Sequence, residues 1–274
     1  MTRHLAPPPT DEPLDTLVFR PLAAGLVRRL ARTRVTPNQV SLAGALAGIA
    51  AAGCLWRGGL ACVLGAPVLL FASLVFDVTD GQLARFNDVR SHAGWVMDIL
   101  ADGSKGIAIM TALALALARE RGAPGLAWGL AAAVSVLVQV LARDASLHRF
   151  ERDTAPACDS TRVARIDEER RRLREGPLTL ARLAMAAHDL ALRLPLARAT
   201  RADRDPRPLT TSARQRRLVS QGLFRHLGGT AQLVTVAIAA AAGHLLPAAI
   251  LLVLAGNALL AVALVFDRAT IEPR

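Results

Sequence analysis

The sequence predicts an all-α, polytopic membrane protein with about six transmembrane helices and a cytoplasmic amphipathic helix near its N-terminus. Three observations predict it. Hydrophobic residues make up 53% of the chain and charged residues only 20%, with a positive mean hydropathy, a balance unlike that of soluble domains. The apolar residues gather in runs of about 20, the length that crosses a hydrocarbon core of about 30 Å as helix. Arginines collect between alternate runs, as they do in cytoplasmic loops.

Taken in order, residues 1–13 ("MTRHLAPPPTDEP") form a Pro-rich tail expected to be disordered, without the apolar core and cleavage site of a signal peptide. Residues 14–36 mix apolar and basic residues at helical spacing, with Pro21 placed to begin or kink a helix. The stretch suits a juxtamembrane amphipathic helix or a plain basic flank of the next span. Residues 37–142 hold four expected spans, near 39–56, 60–78, 94–118 and 124–142, divided by "RGG", by the loop after Arg85 and by "RERGAP". Residues 143–227 are a basic cytoplasmic insertion. Its apolar residues Leu178, Leu180, Leu183, Met185, Leu190 and Leu194 recur at helical spacing, as in a solvated amphipathic hairpin or a dedicated substrate site. Two more spans are expected within 228–266, near 228–246 and 247–266, followed by a tail at 267–274.

Charge sets the orientation. Arg28, Arg29, Arg32 and Arg34 precede the first span, Arg85 and Arg90 follow the second, and many more follow the fourth, so both termini and the loop after Arg85 are expected in the cytoplasm of a bacterial inner membrane. Arg119 and Arg121 oppose this from a short outer loop; Trp56 and Trp128 fall at the expected outer interface. The net charge of +11 is almost wholly arginine, Lys105 being the only lysine. It points to anionic lipid head groups, and the 4% aromatic content without tyrosine gives no support to nucleic-acid binding. Cys54, Cys62 and Cys158 form neither a disulfide framework nor a zinc spacing.

Against this apolar background stands "FDVTDGQLARFNDVRSHAGWVMDILADGSKG", which places Asp77, Asp80, Asp98 and Asp102 at or inside membrane helices. An ionised carboxylate there costs about 2.5–3.5 kcal/mol on insertion scales, so four together need compensation, and a divalent cation supplies it. Asp77 and Asp80 are three apart and Asp98 and Asp102 four apart, so each pair shares a helix face. If the second and third spans are neighbours, the pairs converge on Mg²⁺ or Mn²⁺. Gly81 and Ala84 leave room for a flat or bulky ligand, Gly94 permits close helix approach, and Arg85 suits a phosphate. Metal, arginine and space suggest a pyrophosphate-containing substrate.

The segment fits D-x2-D-G-x2-A-R-x8-G-x3-D-x3-D at Asp77, Asp80, Gly81, Ala84, Arg85, Gly94, Asp98 and Asp102. This resembles the signature of the CDP-alcohol phosphotransferases (CDP-alcohol phosphatidyltransferases), membrane enzymes of phospholipid synthesis. The resemblance implies a pair of Mg²⁺ (or Mn²⁺) ions held by Asp77, Asp80, Asp98 and Asp102, with Asp102 also the catalytic general base. It implies a CDP pocket shaped by Asp80, Gly81, Ala84 and Arg85, attack of an alcohol on the phosphoryl group, and departure of CMP. "TPNQVS", from Thr36 to Ser41, resembles a further family feature: Thr36 and Pro37 suit a helix start, and Asn38 could face the nucleotide. Capping alone explains these residues equally.

The acceptor is left open among small polar alcohols, inositol phosphate and glycerol phosphate included. Arg143, Arg149 and Arg152 are candidate acceptor-binding residues, or topology determinants. Lys105 lies one turn beyond Asp102, not directly after it as in the "ADK" of many glycerol-phosphate users. The expected reaction is transfer of a phosphatidyl group from CDP-diacylglycerol, with a homodimer as the expected assembly. The alternatives are a CDP-linked soluble alcohol donating to a lipid alcohol, and a non-enzymatic divalent-cation carrier or membrane scaffold.

Overall fold

The structure, a computed structural model, describes residues 12–87, 92–154, 171 and 211–269, and these are helical with no strand among them. The amphipathic segment expected from Leu178 to Leu194 lies outside the described residues, as do 1–11 and 270–274. Among the described residues, four stretches are long and apolar enough to cross a membrane: Pro37–Arg57, Leu60–Phe86, Leu100–Leu147 and Leu245–Asp267.

The chain begins with a π-helical segment, Asp15–Phe19, running into α1, Arg20–Leu30, with Pro21 in its first turn, where the missing N–H is harmless. Phe19, Ala23 and Val27, spaced by one helical turn, are buried. Phe19 meets Phe71 with ring centroids 5.4 Å apart, and Val27 packs with Val40 and Leu83. Gln82 donates from its side chain to the Arg20 carbonyl at 3.2 Å. One face of α1 is therefore docked on the membrane helices, while Leu17 and Leu22 on the other stay exposed.

Helix α2, Pro37–Arg57, starts at a capping box: Gln39 N–H donates to Thr36 Oγ1 at 3.4 Å and Thr36 N–H to Gln39 Oε1 at 3.0 Å. It ends where Gly58 and Gly59 take φ of 68° and 87°, a region open to glycine. Arg119, expected in an outer loop, lies in the helix His92–Thr154 and donates to the Arg57 carbonyl at 2.9 Å, a helix-capping contact. Helix α3, Leu60–Phe86, continues eight residues past the expected end of the second span, about 40 Å in all.

Helix α4, His92–Thr154, is broken at Gly122, whose φ of 64° and ψ of −144° are not helical. A Cβ on Gly129 would overlap Ala114, and one on Gly125 would overlap the Leu117 carbonyl, so the two arms fold back on one another in close contact. The second arm runs beyond the expected end of the fourth span at Ala142. Helix α5, Thr211–Phe224, and a 3₁₀ turn, Arg225–Leu227, lead to α6, Gly229–Ala242, and α7, Leu245–Ala269. Helix α6 has 14 residues, about 21 Å, shorter than the span expected over 228–246.

Small residues let the helices approach: Ala51, Ala52, Ala112, Ala116, Ala132, Ala239 and Ala249 line the main core with Leu70, Leu74, Ile109, Leu113 and Leu117. Gln139, on the second arm of α4, donates to Asn257 on α7 at 3.0 Å. Gln232 donates to Gln139 at 2.9 Å and Asn257 to Ser135 at 3.0 Å, tying the second arm of α4 to α6 and α7.

Glu12 falls within the stretch expected as a disordered tail, yet it is 4% exposed. Its carboxylate accepts from Thr230 N–H at 3.4 Å and Ala231 N–H at 3.0 Å, at the open N-terminus of α6, with Arg143 at 3.9 Å. A side chain on Gly228 would overlap it. Burial pushes the Glu12 carboxyl up to about 7, against the opposing pull of Arg143.

Candidate active site

Asp77, Asp80, Gly81, Ala84 and Arg85 all lie on α3, and their spacing of three, four, seven and eight residues from Asp77 puts them on one stripe of an unbroken helix. Gly94, Asp98, Asp102 and Lys105 form a second stripe on the first arm of α4. Both helices pack against α2, whose Gly44 and Gly48 permit close approach. A Cβ on Gly44 would lie 3.2 Å from Phe76 Cβ and 3.3 Å from the Ser73 carbonyl; one on Gly48 would lie 2.9 Å from Lys105 Cβ and 3.0 Å from Ser73 Oγ. Ser73 donates to the Gly44 carbonyl at 2.7 Å, pinning α3 to α2 at this level.

The two stripes meet. Carboxylate oxygens of Asp77, Asp98 and Asp102 lie within 4.8 Å of one another. Asp98 and Asp102 are exposed and Asp77 is half-buried, so the trio opens on one side while its back is closed by helices. Oxygen donors at that separation, drawn from two helices, fit a hard divalent cation that completes its shell with water or phosphate. The residues present therefore suit the expected metal.

Asp80 behaves differently from its three partners. It is buried and accepts a short hydrogen bond from the Ser41 hydroxyl. Ser41 lies in the first turns of α2 and also donates to the Pro37 carbonyl at 3.2 Å, so "TPNQVS" meets the aspartate motif through its serine. Asn38, the residue of that segment expected at the nucleotide, is half-buried in the same turn.

Lys105 is the second unexpected member. Its ammonium lies 2.5 Å from Asp77 Oδ1 and 2.6 Å from Asp102 Oδ1, and its side chain is 5% exposed. Its place one turn beyond Asp102 was visible in the sequence, and its reach across to α3 was not. Arg85 is half-buried, with its guanidinium 3.7 Å from where a Gly81 Cβ would stand. An alanine at 81 would thus meet the Arg85 guanidinium at ordinary van der Waals distance. Arg143 is brought to Glu12 and, at 3.3 Å, to Asp144. Arg149 and Arg152 continue α4, their side chains lying outside the described residues.

Residues 34–159 match the family model of the CDP-alcohol phosphatidyltransferases. The matched segment, 126 of the chain's 274 residues, is similar to that family. It comprises α2, α3 and both arms of α4, the helices that build the acidic site. Members of this family are phosphotransferases, and the Asp77, Asp98 and Asp102 cluster is compatible with the divalent metal that the family uses. Among curated proteins, none matches the chain.

Proposed function

We propose that the protein transfers a phosphatidyl group from CDP-diacylglycerol to a small polar alcohol, with release of CMP. The observation that carries this reading is the convergence of Asp77, Asp98 and Asp102 within 4.8 Å, open on one side, in a segment that matches the CDP-alcohol phosphatidyltransferase family model.

Two Mg²⁺ ions bound by Asp77, Asp80, Asp98 and Asp102 would supply positive charge to the phosphoryl oxygens as the bond order shifts. The chain's own groups do the rest. Arg85, whose guanidinium stands against Gly81, binds a phosphate of the CDP moiety. Gly81 and Ala84 keep the wall of the pocket low. Asn38, at the start of α2, lies on the side from which Ser41 reaches Asp80, and contacts the nucleotide. Asp102, half exposed in its side chain, accepts the proton of the acceptor hydroxyl as its oxygen attacks phosphorus. The phosphorus–oxygen bond to CMP breaks, and CMP leaves. The arginines Arg143, Arg149 and Arg152 are proposed for an acceptor phosphate, of which inositol phosphate and glycerol phosphate are the candidates. For Arg143 the proposal requires release from Glu12 and Asp144.

The long α4 stretch, folded back at Gly122, is read as two crossings, and α6 with α7 as the last pair, giving six. Arginines 28, 29, 32 and 34 ahead of α2 and Arg85 at the end of α3 support a site on the cytoplasmic side of a bacterial inner membrane. The exposed stripe Leu42, Leu46 and Ile49 on α2 suits lipid contact, and a homodimer is expected through such membrane faces. Against a cation carrier stands the apolar core beyond Lys105, where Ile109, Leu113 and Leu117 are buried and offer no onward ligands.

The test is CMP release by purified protein in micelles of CDP-diacylglycerol with Mg²⁺, across a panel of alcohols, beside Asp102→Asn. Acceptor-dependent release that the substitution abolishes is expected. Release with no lipid donor but with a CDP-linked soluble alcohol and a lipid alcohol would reverse the donor assignment, and release with neither would sink the enzymatic reading.

A further inference from the structure

We propose that Lys105 is a built-in counter-ion of the acidic site: its ammonium occupies the Asp77 and Asp102 carboxylates until a divalent cation takes them, so that metal loading is an exchange against a tethered cation. This rests on reading Asp77, Asp98 and Asp102 as a divalent-cation site.

The geometry is specific. Lys105 Nζ bridges α3 and α4 by lying 2.5 Å from Asp77 Oδ1 and 2.6 Å from Asp102 Oδ1, and these are two of the three carboxylates that approach one another within 4.8 Å. Three carboxylates so close repel one another, and an ammonium held among them relieves that repulsion in the metal-free protein. A divalent cation drawing on Asp77 and Asp102 needs oxygens that the ammonium already engages, so the two compete.

The fold builds a berth for this side chain. The absence of a side chain at Gly48 makes room for the lysine stem, since a Cβ there would stand 2.9 Å from Lys105 Cβ and 3.6 Å from Lys105 Cδ. With the side chain 5% exposed, the stem is enclosed and only the charged end faces the aspartates. The residue type fits exchange as well. The chain has 33 lysines and arginines, and Lys105 is its only lysine. A lysine ammonium is a compact, strongly hydrated point charge that can stand in for a metal ion and be released, whereas a planar guanidinium would lock bidentately onto a carboxylate. Lys105 is thus a positioning residue, acting through Asp77 and Asp102 and not on the substrate.

Because the lysine is unique, one side-chain signal reports it. The full-length protein is prepared in detergent with ¹⁵N-lysine and titrated with Mg²⁺, and Mn²⁺ affinity is measured by electron paramagnetic resonance for the unaltered protein, Lys105→Met and Lys105→Arg. Magnesium is expected to shift the Lys105 ammonium resonance and speed its proton exchange with water. Lys105→Met is expected to bind Mn²⁺ about ten- to a hundredfold more tightly, the factor that follows from one charge-assisted hydrogen-bonded contact no longer being broken. Lys105→Arg is expected to restore weak binding. A resonance that stays fixed through metal saturation overturns the proposal, as does Mn²⁺ affinity in Lys105→Met that is unchanged or weaker. If Lys105→Met does not fold, the titration of the unaltered protein decides alone. Absence of Mn²⁺ binding by the unaltered protein overturns the metal reading of the site itself, an outcome distinct from metal binding with an unmoved lysine.

Discussion

Gly48→Ala tests the packing that underlies the site. The added methyl would stand 2.9 Å from Lys105 Cβ and 3.0 Å from Ser73 Oγ, closer than carbon contacts in packed interiors. Neither neighbour yields freely: Ser73 Oγ is bonded to the Gly44 carbonyl at 2.7 Å and Lys105 to Asp77 at 2.5 Å. Either α2 moves away from α3 and α4 by a few tenths of an ångström, or the Ser73 bond is lost. Overpacking of this kind costs about 1–3 kcal/mol, and loss of the hydrogen bond adds about 1 kcal/mol. Gly53→Ala on the same helix is the control, because nothing lies within 4 Å of its added methyl and alanine favours helix by about 0.8–1 kcal/mol. The two substitutions should therefore have opposite signs in thermal unfolding in detergent. Gly48→Ala should also disturb Mn²⁺ affinity through Lys105. Equal stability of the two variants would refute the claim that α2 is fitted to Lys105 and Ser73.

Ser41→Ala removes the hydroxyl bonded to buried Asp80 and should destabilise the protein by about 1–3 kcal/mol, read as a lower melting temperature; an unchanged melt would show that Asp80 is satisfied otherwise. Asn257→Leu breaks the links to Gln139 and Ser135 and should lower stability by about 1 kcal/mol, with an effect indistinguishable from zero counting against the network. Glu12 gives a pH signature. Its folded carboxyl titrates at about 7 against 4.5 when free, so its contribution is full below the free value and declines as pH rises through about 7. The loss is at most about 3 kcal/mol. Glu12→Gln should flatten that decline, and parallel melting-temperature curves for the two proteins between pH 4.5 and 8 would contradict it.

Much of the site was legible in the sequence because helical spacing is a local rule. Asp77 with Asp80, and Asp98 with Asp102, had to share faces once their segments were helical, whereas the convergence of three of them follows from α3 and α4 both packing on α2. Thr36 and Pro37 opened a helix as their chemistry requires. What stayed hidden depended on a third helix. Asp80 turns to Ser41 because α2 lies against α3, and Lys105 reaches Asp77, 28 positions away in sequence, only because Gly48 leaves it room. The break of α4 at Gly122 lies within the expected "RERGAP" turn, while the short α6 and the seating of Glu12 at its N-terminus depend on contacts between ends of the chain more than 200 residues apart. No periodicity encodes those.

The most direct test of the central claim follows the acceptor oxygen. The purified protein is given CDP-diacylglycerol, Mg²⁺ and an acceptor alcohol carrying ¹⁸O in its hydroxyl, and the products are weighed by mass spectrometry. Phosphatidyl transfer predicts that the label enters the phosphodiester of the lipid product while CMP carries none. Unlabelled CMP and phosphatidic acid beside intact labelled alcohol would mean hydrolysis, and would contradict the account.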